Sequence, residues 1–255
     1  MFPFKNPLII ALDVDTLEQA EELVNILGPY AGGFKVGMQL YNSVGPEAVH
    51  RLSKRAPVFV DLKLHDIPNT VAGATRVLTR HGAAILNVHA AGGVAMMTAA
   101  KQASSEEAAL AGSKPPLVVA VTILTSINQD VFNKEIGLTG SIQEQVVKWA
   151  LLAQKAGLDG VVASPLEITP VREACGENFV IITPGVRPVG AAANDQQRIM
   201  TPGEAATRGA TFLVVGRPIT KAPDPVQTAR SILDEINGTG VGRGDRSLVP
   251  RNAGK

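Results

Sequence analysis

The sequence VFVDLKLHDIPNT, residues 58–70, runs from an apolar strand into a cluster of charges. Because side chains alternate between the two faces of a strand, Asp61 and Lys63 share one face while the two leucines share the other. Asp66 follows the strand, at the position where loops of α/β folds carry functional residues. Charges that face an interior are costly unless paired, and they tend to mark functional sites. The alternative is a salt-bridged strand terminus without a function.

This strand is one of eight apolar runs, most of them nearly continuous in Val, Ile, Leu and Ala, as expected of parallel strands covered on the outside. The runs are Leu8–Asp13, Gly33–Val36, Val58–Lys63, Ala84–His89, Leu117–Thr122, Gly160–Ala163, Phe179–Thr183 and Phe212–Val215. Segments with helical spacing lie between them, including Thr16–Leu27, Val71–His81, Ser141–Ala156 and Pro225–Ile236. Eight such units predict an α/β protein, a single-domain (β/α)8 TIM barrel. The alternative is an open doubly wound sheet, which the absence of a GxGxxG motif after the first strand weakens.

The helical segments begin and end with typical signals. Asp15 or Thr16 is placed to cap the first segment, and Asp224 is placed to cap the last. Glycines fall where three of the helices should stop, and they are Gly82, Gly157 and Gly209. These signals support the alternation of strands and helices.

Length and composition indicate the domain organisation. With 255 residues, of which 45% are hydrophobic and 18% charged, the chain suits one globular domain with a substantial core. Residues 1–238 are predicted to form the barrel, and residues 239–255, rich in Gly and Arg without periodicity, a flexible tail. Leu248–Arg251 resembles part of a protease cleavage site, which leaves open whether the whole tail is native.

Charge and cysteine usage indicate the setting in which the chain works. The formal net charge of +1 argues against nucleic acid or a membrane as the main partner, so any anion site must be local. Cys175 is the single cysteine and cannot form an internal disulfide, which fits a reducing cytosol, and we expect it to be a packed thiol. There is no signal-peptide pattern and no run of membrane-spanning length. The sequence therefore predicts a cytoplasmic protein.

The carboxyl ends of the strands form the catalytic face in a barrel of this kind. Those ends carry two lysines and three aspartates, which are Asp13, Lys35, Asp61, Lys63 and Asp66. Alternating charges hold one another by pairing, so no metal ion is needed to keep such an array folded. A lysine in this field is a candidate acid or electrostatic catalyst.

The last two strands carry a different signal. Gly216 and Arg217 follow the eighth strand, where barrels often bind a substrate phosphate, and Arg187 on the preceding loop adds a second guanidinium. The Gly190–Gln197 segment is predicted to be a mobile lid over the phosphate. His89, like His50, has no ligand partner at metal spacing, so structural roles are favoured over metal binding.

These residues together resemble the orotidine 5'-phosphate decarboxylase family in its common bacterial form. The stretch Asp61–Thr70 is similar to the signature of that family. Further matching motifs occur in the family's order, and they are ALD at 11–13, KVG at 35–37, NVHA at 87–90, LTS at 124–126, GLDGVV at 157–162, TPGVRP at 183–188, DQQR at 195–198 and GRPI at 216–219. The resemblance extends from about Leu8 to Ile236, which is essentially the whole predicted domain.

The resemblance implies a homodimer that converts orotidine 5'-monophosphate to uridine 5'-monophosphate and carbon dioxide, the last step of de novo pyrimidine synthesis, without a metal or organic cofactor. It implies that Lys63 donates the proton to C6 of the pyrimidine. It also implies that Lys35, Asp61 and Asp66 complete the charged array, and that Asp66, Ile67 and Thr70 reach into the neighbouring subunit's site. The implied contacts of the substrate are Asp13 and Lys35 with the ribose hydroxyls, and Thr125 with Ser126 at the base or the lid. The residues implied to hold the phosphate are Arg187, Gln196, Gly216 and Arg217.

Two other functions are weighed against this one. Hexulose-phosphate synthases and keto-gulonate-phosphate decarboxylases share an Asp-x-Lys-x-x-Asp core on the same barrel but use a magnesium ion and a sugar phosphate. Ile67–Thr70 and Gln196 match the nucleotide decarboxylase instead. The third candidate is a sensor of phosphate ligands that kept the barrel without catalysis. Every expected charged position is filled, which argues against it.

Overall fold

The chain forms a closed barrel of eight parallel strands in a computed structural model that describes residues 4–188 and 200–238. The strands are β1 (Leu8–Ala11), β2 (Gly33–Gly37), β3 (Val58–Leu64), β4 (Ile85–His89), β5 (Leu117–Val121), β6 (Gly160–Val162), β7 (Val180–Pro184) and β8 (Phe212–Val215). They follow one another in chain order, and β8 pairs with β1 to close the ring. The predicted TIM barrel is confirmed, and the closed ring rules out the open sheet.

Helices cover the outside of the barrel. The α-helices of the described residues are α1 (Leu17–Leu27), α2 (Met38–Val44), α3 (Glu47–Ser53), α4 (Pro68–Arg80), α5 (Gly93–Leu110), α6 (Ile142–Lys155), α7 (Ile168–Cys175), α8 (Pro202–Thr207), α9 (Arg217–Thr220) and α10 (Pro225–Gly238). Thr16 caps α1 in a reciprocal capping box with Gln19. Asp224 caps α10 through the N–H of Gln227, at 2.8 Å. The predicted caps are thus confirmed, with Thr16 rather than Asp15 at the first.

The element boundaries differ from the predictions by a few residues. The first strand was expected to include Asp13 but ends at Ala11, so Asp13 stands on the loop above it. Helix α4 begins at Pro68 rather than Val71, because the fixed φ of proline suits the first turn of a helix. The predicted glycine stops are confirmed, and their φ angles are positive: +90° at Gly82, +78° at Gly157 and +101° at Gly209.

The core lies in two layers. A large cluster joins the outer face of the strands to the helices. A smaller cluster fills the inside of the barrel, with Phe59 on β3, Ile85 on β4 and Phe212 on β8 all at most 2% exposed. Because alternate residues share a face, Asp61 and Asn87 stand directly above Phe59 and Ile85. The polar site therefore rests on a packed apolar floor.

The remaining sequence-based expectations concern packing and the ends of the chain. The Cys175 thiol is buried at the end of α7, and burial raises its pKa, as expected of a packed side chain. In the described ranges no helix combines the length and apolar character needed to cross a bilayer. The predicted lid, Gly190–Gln197, falls entirely within residues 189–199, and both this stretch and the predicted tail, residues 239–255, lie outside the described residues.

Candidate active site

Four charged side chains meet at the carboxyl ends of the first three strands. The Lys35 ammonium lies between two carboxylates, 3.3 Å from Asp13 and 3.4 Å from Asp61. The Lys63 ammonium donates to the other oxygen of Asp61 at 2.7 Å. The charges thus alternate in sign along the order Asp13, Lys35, Asp61, Lys63. The structure brings these four predicted residues together by mutual pairing.

Asp61 is the centre of the array and is 16% exposed at its side chain. Burial alone would raise the pKa of this carboxyl, but the positive charges of Lys35 and Lys63, with hydrogen bonds from Lys63 and Asn87, outweigh it. The pKa of Asp61 is therefore held below its ordinary value. The carboxylate stays charged at neutral pH and fixes both ammonium groups around it.

The backbone around Lys63 departs from a regular strand. Its φ is +55°, and Lys63 is the only non-glycine residue with positive φ in the described part of the chain. Pairing with β4 is interrupted there, since Val60 lies opposite Leu86 and Leu64 lies opposite Val88. This irregularity brings the ends of the Asp61 and Lys63 side chains together, whereas the regular strand expected from sequence places them only on the same face.

Asn87 is a site residue that the sequence-based prediction did not include. It lies on β4, is 1% exposed, and its side-chain amide donates to Asp61 at 2.7 Å. Its side-chain oxygen accepts the backbone N–H of Lys63 at 2.8 Å. A lone amide on a buried apolar strand, two residues beyond an inward-facing isoleucine, was the signal in the sequence that could have found it.

Two glycines leave room for the charges. A Cβ atom at Gly37, at the end of β2, would lie 2.8 Å from the Lys35 ammonium nitrogen and 3.5 Å from the Asp13 carboxylate. A Cβ at Gly216, after β8, would lie 3.4 Å from the other Asp13 oxygen. Any larger residue at Gly37 would displace the Lys35 ammonium from its position between Asp13 and Asp61. Gly216, a predicted site residue, thereby lies beside the array.

The predicted phosphate residues of the described chain follow the last two strands, and β8 is the ring neighbour of β1. Arg187 follows β7, is 8% exposed and donates to the carbonyl of Val186 at 3.0 Å, while Arg217 after β8 is exposed. The chain on either side of residues 189–199 is tied together, because Val186 and Met200 form an isolated bridge. Thr125 is buried and Ser126 exposed beyond β5. Gln196 lies outside the described residues.

Asp66, Ile67 and Thr70 lie at the edge of the mouth and are exposed in the single chain, Ile67 to 67%. The Asp66 carboxylate accepts the N–H of Ile67 at 2.7 Å. Within the described ranges it forms no ion pair with Lys63 or Lys35. The structure of one chain therefore does not bring Asp66 into the array.

The histidines near the mouth pack with one another. His65 stacks on His89 with ring centroids 5.3 Å apart, and His89 contacts the edge of Trp149 at 5.9 Å. Burial lowers the pKa of His89, and the charges of His65 and Lys63 lower it further. Within residues 4–188 and 200–238, no group of three His, Cys, Asp or Glu side chains could hold a metal ion. The structural role expected for His89 agrees with these contacts.

Comparison with known proteins identifies the family. Residues 6–232 match the family model described as "Orotidine 5'-phosphate decarboxylase / HUMPS family". The chain belongs to this family. The match covers nearly the whole described chain, and the resemblance to the orotidine 5'-phosphate decarboxylase / HUMPS family read from the motifs is confirmed.

Individual relatives of the family carry the first of its two names. A protein of Moorella thermoacetica named orotidine 5'-phosphate decarboxylase is 56% identical over 233 residues, which cover 91% of this chain and 92% of the relative. A protein of Heliobacterium modesticaldum with the same name is 53% identical and covers 91% and 96%. The crystal structure of orotidine 5'-phosphate decarboxylase from Lactobacillus acidophilus superposes with a TM-score of 0.79 at 38% identity, covering 91% of this chain and all (100%) of that one.

Proposed function

We propose that this chain is an orotidine 5'-phosphate decarboxylase, which converts orotidine 5'-monophosphate to uridine 5'-monophosphate and carbon dioxide in the last step of pyrimidine nucleotide synthesis. The observation that carries the proposal is the alternating array of Asp13, Lys35, Asp61 and Lys63 at the barrel mouth. Relatives with this name, more than half identical to the chain, support it.

The chemistry requires a fixed positive charge beside one carbon atom. When the bond between C6 and the carboxylate breaks, its electron pair stays on C6 and carbon dioxide leaves. Nothing in the pyrimidine ring delocalises that pair well, so the charge that stabilises it must be in place beforehand. Lys63 supplies this charge in our proposal and then transfers a proton from its ammonium group to C6.

The other members of the array are proposed to destabilise the bound substrate, to position Lys63 and to bind the ribose. Asp61 lies where the departing carboxylate would approach, so it disfavours the bound substrate relative to the carbanion. It also holds the ammonium groups of Lys35 and Lys63 in position through its two ion pairs. Asp13 and Lys35 are proposed to bind the ribose hydroxyls, since both lie beyond Asp61 in the array as counted from Lys63.

The phosphate is proposed to bind at the carboxyl ends of β7 and β8, next to the Asp13 end of the array and away from Lys63. Arg187 and Arg217 offer guanidinium groups suited to phosphate oxygens, and Gly216 lets the backbone approach closely. Gln196 belongs to the same proposed set, and Thr125 with Ser126 to the contacts of the base. Because the phosphate lies far from C6, its binding energy can organise the site without changing the chemistry at the ring.

We propose further that two copies of the chain form a homodimer in which each completes the other's active site. Asp66, Ile67 and Thr70 are the residues that would cross the interface. An isoleucine 67% exposed beside a charged mouth supports this proposal, because large apolar side chains so placed commonly mark interfaces. The expected partners are therefore the nucleotide and a second copy, without nucleic acid or a membrane, and the expected compartment is the cytoplasm.

Mixing two inactive variants tests the shared site. We expect Lys63→Ala and Asp66→Ala to be inactive alone, and a mixture allowed to exchange subunits to regain about one quarter of wild-type activity, because half the dimers are mixed and each has one intact site. Lys63→Ala mixed with Asp61→Ala is the matched control. Both of those residues serve the same subunit's site, so no activity should return. Recovery in neither mixture would contradict the shared site.

A spectroscopic assay tests the function itself. Purified protein incubated with orotidine 5'-monophosphate should change the ultraviolet absorbance of the pyrimidine and release carbon dioxide. No spectral change at micromolar enzyme would overturn the proposed function.

The same assay with EDTA separates this reaction from the magnesium-dependent sugar-phosphate chemistry of the rival enzymes. We expect the rate to be unchanged, because the array is held by its own charges and Lys63 supplies the positive charge at C6. Loss of activity with EDTA and its return with Mg²⁺ would contradict this mechanism.

A further inference from the structure

The break in pairing between β3 and β4 leaves one residue opposite three. Val60 pairs with Leu86 and Leu64 with Val88, so residues 61–63 of β3 face Asn87 alone. An interruption of this size leaves backbone groups of the bulged strand without partners in the ladder. Lys63 also has a φ of +55°, a conformation that L-residues other than Asn and Asp seldom adopt. Something outside the ladder must hold this segment in place.

The Asn87 side chain supplies what the ladder lacks. Its oxygen accepts the backbone N–H of Lys63 at 2.8 Å, and its NH2 group donates to Asp61 Oδ1 at 2.7 Å. The Lys63 ammonium donates to the same Asp61 oxygen, also at 2.7 Å. The backbone of Lys63, its side chain and Asp61 are therefore linked through one amide that is 1% exposed. Turning the amide over would set donor against donor and acceptor against acceptor, so its orientation is fixed.

We propose, on the basis of the proposed function, that Asn87 is the positioning residue that holds Asp61 and Lys63 in the geometry for proton transfer to C6. It acts through these two residues rather than on the nucleotide. Its oxygen keeps the Lys63 backbone in the left-handed conformation, and its NH2 group aims the Asp61 carboxylate at the Lys63 ammonium. A displacement of about 1 Å at such a group costs about 100-fold in rate.

The same geometry predicts a pH dependence. The charged groups around Asp61 are Lys35 from β2 and Lys63 from β3, with Asp13 behind Lys35 and His89 farther along β4. The hydrogen bond from Asn87 favours the charged carboxylate and so lowers the pKa of Asp61. Removing it raises that pKa, and the carboxylate is then protonated at a higher pH. We therefore expect the acid limb of the pH–rate profile to move to higher pH.

Two substitutions distinguish the hydrogen bond that Asn87 accepts from Lys63 from the one that it donates to Asp61. Asn87→Ala removes both hydrogen bonds, and we expect kcat to fall about 100-fold, with much smaller changes in KM and in the Kd of uridine 5'-monophosphate. Asn87→Asp keeps an acceptor for the Lys63 N–H but places a second carboxylate beside Asp61. We expect it to show the largest upward shift of the acid limb of kcat/KM, with Asn87→Ala between it and the wild type.

Thr79→Val is the matched control. Thr79 is buried near the end of α4, and its hydroxyl donates to the carbonyl of Thr75 at 2.9 Å, away from the barrel mouth. We expect it to lower the thermal unfolding temperature while kcat and the acid limb stay unchanged. If Asn87 had only a structural role, its variants would behave like Thr79→Val, with a lower unfolding temperature and an unchanged kcat and acid limb.

The outcomes distinguish this proposal from the proposed function. An Asn87→Ala protein that folds and retains kcat within about twofold of wild type overturns the positioning role. If that variant does not fold, Asn87→Asp decides, and an unmoved acid limb overturns the role. A wild-type protein that binds uridine 5'-monophosphate but does not decarboxylate the substrate overturns the proposed function instead.

Discussion

Replacing Lys63 with alanine is expected to lower kcat by about 10⁴-fold or more, because the variant loses both the fixed charge at C6 and the proton that quenches the carbanion. The Kd of uridine 5'-monophosphate should change far less, since phosphate and ribose contacts remain. Lys63→Arg gives a sharper test. It keeps a positive charge, but a guanidinium does not release its proton readily, so kcat should remain low. Turnover and product binding measured on the same preparations check both.

Lys101 is the matched control for Lys63. Its ammonium pairs with Asp159 at 2.6 Å, and the two side chains are 23% and 20% exposed, close to the values for Lys63 and Asp61. This pair lies at the amino-terminal end of the strands, where Asp159 also accepts the N–H of Val118. Lys101→Ala should therefore destabilise the protein without lowering kcat. A Lys63→Ala variant with kcat near wild type would refute the role of Lys63.

Replacing Arg217 with alanine is expected to lower kcat/KM for orotidine 5'-monophosphate by about 10²- to 10³-fold, because one charge-assisted contact to the phosphate is lost. The nucleoside orotidine, which has no phosphate, should be processed at the same low rate by the variant and the wild type. Steady-state kinetics with both substrates separate binding of the phosphate from the chemistry at C6.

Arg208→Ala serves as the comparison for Arg217→Ala. Arg208 is an exposed arginine that ends α8 just before β8, at the opposite end of the barrel from the mouth. Its loss should leave kcat/KM for both substrates unchanged. Equal losses for the nucleotide and the nucleoside in the Arg217→Ala variant would show that Arg217 does not bind the phosphate.

Most of the fold could be predicted because each strand is a short apolar run bounded by recognisable helix signals. Thr16, Asp224 and the glycines at helix ends act locally, so their effect is visible in a few residues of sequence. The exact end of β1 could not be predicted. Whether Asp13 continues the strand depends on hydrogen bonds with neighbouring strands that are far away in sequence.

The site was predictable in its residue types but not in its internal geometry. Charges on otherwise apolar strands stand out, and the order of strand ends brings Lys35 near Asp61. The positive φ of Lys63 has no local sequence signal, since neither glycine nor asparagine occupies the position. It arises from the pairing of β3 with β4, and Asn87 gains its role only from that pairing. A resemblance to a family points to the charged residues more readily than to the amide between them.

The array stands on β2, on β3 and on the start of the loop after β1, and its supporting amide stands on β4. These strands are consecutive neighbours in the ring, joined by main-chain ladders above a solvent-free interior. Such elements open only when the whole domain does, whereas surface loops open at far lower free energy. Heating should therefore disturb exposed residues at the rim of the mouth, such as Asp66 and Arg217, before it disturbs the array. We expect the alternating charges of the array to keep their arrangement until the barrel itself melts.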